Sequence, residues 1–348
     1  MRLALSAGYW GMGVDADRQL AMTREAERLG YESVWAAEAY GSDAATVLAW
    51  LAAQTTTIGL GSAVFQIPAR SPAMTAMTAA TLDRLSGGRF RLGLGVSGPQ
   101  VAEGWHGQRY ARPLERTRDY VAVVRKALAR ERVAYQGSTL ELPLPGGDGK
   151  ALKLTVSPVQ HPLPIYLAAM GPKNLALAGE IADGCLGFLF DPEHGGEVRA
   201  ALEQGAARAG RKLDGFDLAV NLQVRIDDDL DAARDVMRPM VALYVGGMGS
   251  RARNFYNELM RRYGFEEAAT VVQDHYLDGR PDRAAAALPP ELIDAVTVCG
   301  PLGRVRERLD ALGEAGVTTL IAAAMSHSAD DAAAQLRMLA EAAGQASG

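Results

Sequence analysis

The chain has 348 residues, a net charge of −5, a pI near 5.7, 48% apolar and 22% charged residues. That length suits one large α/β barrel. The acidic balance offers no basic face for nucleic acid, and no run approaches a membrane span. The opening MRLALSAGYW lacks the apolar core and cleavage site of a signal peptide, so a cytoplasmic protein is expected.

Short apolar runs alternate with amphipathic segments from the first residues. Residues 3–7 (LALSA) read as a buried strand. Residues 15–29 set Leu20, Met22, Ala26 and Leu29 on a helical stripe closed by Gly30. Residues 33–37 form a second strand, Asp43 caps a helix to Gln54, and residues 58–65 form a third strand. Ser71 and Pro72 open the next helix as N-cap and first helical residue, and it ends near Leu85. Residues 90–96 are the fourth strand and 113–129 the fourth helix.

The cadence breaks near 131–160, where YQGSTLELPLPGGDGKALKLTV reads as a loop or small hairpin inserted in the fold. It resumes with a fifth strand at 164–168, a helix at 171–182, a sixth strand at 183–189, a helix at 192–209 and a seventh strand at 216–226. A helix at 229–245 precedes a second insertion near 246–295. That insertion is helical and aromatic-rich (Phe255, Tyr256, Tyr263, Phe265, Tyr276), suited to closing over a site or to meeting another subunit. A helix at 305–315, an eighth strand at 318–323 and a helix at 330–343 complete the pattern.

Strands alternating with helices imply a parallel sheet, and eight such steps imply a closed (β/α)8 barrel rather than an open sheet. The expected organisation is a single domain over 1–348. The SAGYWGMG segment has only a degenerate form of the dinucleotide-binding glycine pattern.

In such a barrel the chemistry sits where strands end. Those places hold Tyr9 and Trp10, then Glu38 and Tyr40, then Gln66, then Ser97, Gly98, Pro99, Gln100 and Val101 with Trp105 and His106 beyond, then Ala168, Ala169, Met170, Gly171, Pro172 and Lys173. The last two are small-residue turns able to aim backbone N–H groups at a phosphate. Lys173 lies in a first helical turn, where the helix dipole disfavours a cation unless an anion joins it. A plain helix start with a solvated Lys173 is the other reading. The five histidines form no HxH or HxxxH pair, and Cys185 and Cys299 lie in apolar runs, so no metal site is expected. No G-x-S-x-G elbow is present. So sparse an acid–base inventory suits a reaction carried by a bound cofactor.

Three segments resemble one family: TTTIGLGSAVFQIPARSPAMTAMTAA (55–80), TLDRLSGGRFRLGLGVSGP (81–99) and IYLAAMGPKNLALAGEIADGCL (165–186). They are similar to bacterial luciferase-like monooxygenases, and most to the coenzyme F420-dependent branch that includes methylenetetrahydromethanopterin reductase. The resemblance implies a barrel binding a flavin or deazaflavin. It also implies a non-proline cis peptide at Ala63–Val64 supporting the deazaflavin ring, and cofactor phosphate contacts on 97–101 and 168–173. Glucose-6-phosphate dehydrogenases of this branch carry an Asp-His pair after strand two and a Glu after strand four. Here Glu38-Ala39 and Gly98 stand there, which argues against sugar-phosphate oxidation and leaves Glu38 as the candidate catalytic ionisable group, or else as a carboxylate that fixes its loop.

The leading expectation is an F420-dependent oxidoreductase, with hydride passing from ring C5 of the reduced cofactor to a C=N, C=C or C=O bond of a small molecule. Tyr9, Trp10, Tyr40, Gln66 and Trp105 are candidate pocket residues. An FMN-dependent monooxygenase and a non-catalytic flavin-binding protein are the alternatives. A homodimer is expected from the resemblance.

Overall fold

Runs that are apolar at every position become strands covered on both faces, and the striped segments become the helices that cover them. The computed structural model describes residues 1–9, 15–326 and 328–344. The first half comprises β1 (Arg2–Gly8), α1 (Ala16–Arg28), β2 (Ser33–Ala36), α2 (Ala44–Gln54), β3 (Gly59–Ser62), β4 (Phe65–Gln66), α3 (Pro72–Leu85), β5 (Phe90–Gly95), α4 (Pro99–Gly104), α5 (Pro113–Leu128), β6 (Tyr135–Gln136), β7 (Glu141–Leu142), β8 (Ile165–Ala168) and α6 (Pro172–Ile181). The second half comprises β9 (Gly184–Phe188), α7 (Gly195–Arg208), β10 (Asp217–Ile226), α8 (Leu230–Ala242), α9 (Phe255–Arg262), α10 (Glu266–Leu277), α11 (Pro281–Ala286), α12 (Pro290–Val296), β11 (Val298–Gly300), α13 (Leu302–Glu314), β12 (Thr319–Ala324) and α14 (Ala329–Ala342).

Parallel pairing runs from β1 through β2, β3, β5, β8, β9, β10 and β12 and back to β1. Eight parallel strands therefore close on themselves with helices outside, a (β/α)8 barrel. Several helix starts are fixed by sequence: Asp15, Asp43, Ser71, Asp229 and Ser328 each accept from a first-turn N–H. No described helix is long and apolar enough to cross a membrane.

The bore is filled at mid-height. Trp35 and Tyr166 meet edge to face at 5.2 Å. Two glycines make room for them: a Cβ on Gly61 would lie 2.2 Å from the Trp35 ring, and one on Gly184 would lie 2.3 Å from the Tyr166 ring. Below, Asp217 accepts from the Tyr166 hydroxyl at 2.9 Å and the Thr319 hydroxyl at 2.8 Å, and pairs with Arg2 at 2.7 Å. The N-terminal end of the barrel is thus shut, which leaves the C-terminal end for a ligand.

Four details differ from the sequence reading. The third strand breaks at Ala63–Val64 into β3 and β4, both paired with β5. The turn after β5 contains the short helix α4, led by Pro99 at its first position. The helix at 229–245 ends at Ala242 and runs into a π-type turn at Leu243–Gly247. Residues 298–300, an apolar run with no strand length, form β11 against the far end of β10, beyond the stretch that β9 covers. The first insertion holds an antiparallel hairpin, β6 with β7. The second, α9 to α12, packs with α8 around its own core of Met237, Val241, Leu259, Met260, Val272 and Ile293. Both cysteines are buried and free.

Candidate active site

Side chains alternate along a strand, so residues two beyond the plug face the same lumen. The plug layer contains Ala4, Tyr166, Leu186, Ala219 and Ile321. One step higher stand Ser6, Ala168, Phe188, Asn221 and Ala323. Tyr166 and Ile321 give way to Ala168 and Ala323, and a floor opens on those strands. Ala63, Val64 and Ala168 pack on the plug from above. The Ala63–Val64 peptide is cis. Val64 lies across Gly95, where a Cβ would stand 2.5 Å from Val64 Cγ2 and 3.7 Å from the Ala168 Cβ. One wall, from β3 through β5 to β8, is therefore smooth and flat.

Two backbone corners bound this floor. Ser97 after β5 has φ +59° and Leu189 after β9 has φ +50°, left-handed positions that cost a non-glycine residue about 1–3 kcal/mol and collect at functional sites. Gly98 is the N-cap of α4, and Gln100 and Val101 occupy its first turn. Gly171 is the N-cap of α6, and no side chain among the described residues caps that helix. Its first N–H groups remain open to an anion. Lys173 is exposed in that first turn. Arg262, at the end of α9, donates from Nη2 to the Met170 carbonyl at 3.1 Å. Two cations thus flank the uncapped helix start, and the sequence reading had named only one.

Glu38 is held rather than free. It pairs with Arg70 through both carboxylate oxygens, with Nη2 at 2.9 Å from Oε2, and accepts from the Ala44 N–H at 3.1 Å. Arg70 in turn reaches Asp43 and lies 4.6 Å over the Phe65 ring. Glu38 thereby ties the β2 loop to α2 and to the segment after β4. Gln66 is buried; Nε2 donates to the Ala39 carbonyl at 2.6 Å, while Oε1 meets no donor among the described residues. Gln223, near the end of β10, also has a buried Oε1 with no donor among the described residues. Tyr40 and Trp105 are exposed by 61% and 67%, and Tyr40 stands near Tyr9 and Tyr244. Trp10 lies outside the described residues.

At the C-terminal ends of β1 and β9 lies an aromatic canopy. Burial pushes the Tyr9 hydroxyl up, and the neighbouring Tyr244 pulls it back. Tyr244 stands 4.5 Å from Phe188 and 4.8 Å from Tyr256 between ring centroids. Burial, then the neighbouring Tyr9, pushes the Tyr244 hydroxyl up as well. Both phenols therefore stay protonated near neutral pH and can donate. Of the insertion's aromatics, Tyr256 joins this canopy and Phe255 meets Tyr110 at 6.4 Å, while Tyr263 stacks on His194 elsewhere. Tyr244, Phe188 and Asn221 were missed because nothing in a helix end or a strand interior marks which residue will overhang a barrel mouth.

A family model for luciferase-like monooxygenases matches residues 4–319. The chain belongs to this family. Among the relatives of this luciferase-like protein is a Mycobacterium tuberculosis protein named as a coenzyme F420-dependent oxidoreductase, 44% identical over 94% of this chain and 96% of its own. The 5,10-methylenetetrahydromethanopterin reductase of Archaeoglobus fulgidus is 31% identical over 85% of this chain and 86% of its own. The structure of the coenzyme F420-dependent tetrahydromethanopterin reductase of Methanopyrus kandleri superposes with a TM-score of 0.82 at 25% identity, covering 98% of this chain and 97% of that one.

Proposed function

We propose that this luciferase-like barrel is a coenzyme F420-dependent oxidoreductase that exchanges hydride between the deazaflavin and a small organic C=N, C=C or C=O compound. The carrying observation is the mouth itself: a flat wall of Ala63, Val64, Gly95 and Ala168, a canopy of Tyr9, Tyr244 and Tyr256, and a helix start that no described side chain caps. The 44% identical relative named for F420 supports the cofactor.

The residues present fit such a group. A planar ring needs a surface without protruding side chains, and Gly95 under Val64 supplies it. Two buried acceptors that meet no donor among the described residues, Gln66 Oε1 and Gln223 Oε1, suit the ring's polar edge. The α6 start with Lys173 and Arg262 suits its phosphate. When bound, the deazaflavin supplies a hydride donor or acceptor. The chain's part is to hold ring and substrate face to face, to exclude water beneath the canopy, and to offer a phenolic proton from the Tyr9–Tyr244 pair to the substrate heteroatom.

The test is titration of the purified protein with F420 and, separately, FMN, followed by fluorescence. F420 is expected to bind and FMN to bind weakly or not at all; the reverse order would point to a flavin monooxygenase. Arg262→Ala should weaken F420 binding about three- to tenfold, because one exposed charge-assisted contact is lost. The same titration at raised salt should narrow the gap between wild type and variant.

The homodimer belongs to this reading too. The outer face of α3 exposes Met74, Met77 and Leu85, a row of large apolar side chains that a second copy would cover.

A further inference from the structure

A cavity of about 490 Å³ lies outside the barrel wall, between the β9–α7 connection, α12 and α13. None of the mouth residues described above lines it. Its volume falls in the range of small-ligand pockets, about 300–1,000 Å³.

Its charges fall into two groups. Arg308 of α13 donates Nε to the Thr297 carbonyl at 3.3 Å and Nη2 to the Ala295 carbonyl. Its Nη1 has no hydrogen-bond partner among the described residues. Asp294, the nearby carboxylate, is taken by Arg234 and by Arg304 at 2.6 and 2.8 Å. Burial pushes the Arg308 pKa down, with Asp191 and Asp294 opposing. A guanidinium remains charged in proteins, and this one is half-buried with no direct ion pair among the described residues. Glu193, Glu291 and Glu307 form the second group. They line the same cavity, are exposed, and their carboxylates make no hydrogen bond or ion pair among the described residues.

We infer that this cavity binds a small extended zwitterion. Its carboxylate pairs with the open edge of Arg308, and its ammonium or guanidinium group is held by Glu193, Glu291 and Glu307. The charge balance selects this class. The lining carries five carboxylates (Asp191, Glu193, Glu291, Asp294, Glu307) against two arginines (Arg304, Arg308). A simple anion meets net repulsion, and a simple cation leaves Arg308 without an anion. A basic amino acid satisfies both groups. Tyr263 and Phe265, also in the lining, cover its methylene chain.

Calorimetric titration of the whole protein with L-arginine tests the inference, with agmatine, which lacks the carboxylate, as the comparison. L-arginine should bind saturably and agmatine about tenfold more weakly, the size of one charge-assisted contact. Arg308→Met should abolish the difference between the two compounds. Because that variant also loses two bonds to carbonyls, the double variant Glu291→Gln, Glu307→Gln serves as a second check. It changes exposed side chains and should weaken L-arginine about tenfold. The inference is overturned if L-arginine gives no saturable heat at about 10 mM, if agmatine binds equally well, or if the double variant binds like wild type. Binding that F420 displaces would place the ligand at the barrel mouth and overturn it as well.

Discussion

Glu38 and Arg70 show how a residue's chemistry is set by what meets it. Both are largely buried, and Arg70 spans Glu38 and Asp43. Glu38→Gln keeps the shape and removes the charge, leaving a buried guanidinium short of an anion. A loss of about 1–3 kcal/mol is expected, below the cost of breaking a fully buried pair because Asp43 remains. A urea midpoint reads it, with F420 binding little changed. An unaltered midpoint together with lost turnover would return Glu38 to a catalytic role. At Gly61 the argument is steric. A methyl would meet the Trp35 ring, so Gly61→Ala should cost about 1–3 kcal/mol by overpacking, and adding Trp35→Phe should recover part of it. A variant as stable as wild type would show that the plug is loosely packed.

Among the elements, α1 and α14 lie side by side and share a charged seam. Glu25 meets Arg28 at 2.8 Å and Arg337 at 2.6 Å. The hydrogen bond from Arg28, then Arg337, holds the Glu25 carboxyl at about 2 against its ordinary 4.5. A carboxyl depressed in the folded chain adds stability above its ordinary value and loses it as pH falls through the folded one. Stability should therefore decline between about pH 4.5 and pH 2, and Glu25→Gln should flatten that decline in acid titrations of the urea midpoint. The elements themselves were legible where a cap and a stripe coincide, as at Asp15, Asp43 and Ser71. They were not legible where length failed. Residues 298–300 are a strand only because β10 outruns β9 and leaves an edge to pair with. Likewise α4 is a six-residue helix whose turn residues read equally well as a loop.

The whole molecule presents two faces to test. The α3 face should pair with a second copy; Met77→Glu is expected to shift the protein to monomer in sedimentation, and a wild-type protein that is already monomeric would remove the idea. The mouth is the other face, and here sequence and structure divide the labour. Local pattern determined the eight strand–helix steps of the wall, the turn at 168–173 and the cysteines' burial, and the family resemblance added closure into a barrel, because periodicity, caps and glycine corners are properties of neighbouring residues. Only the tertiary structure decided that Arg70 engages Glu38, that Arg262 joins Lys173 at the α6 start, and that Tyr244 and Tyr256 roof the mouth. Those contacts join residues from about thirty to over two hundred positions apart, and no short-range pattern records which side chains a closed barrel brings together.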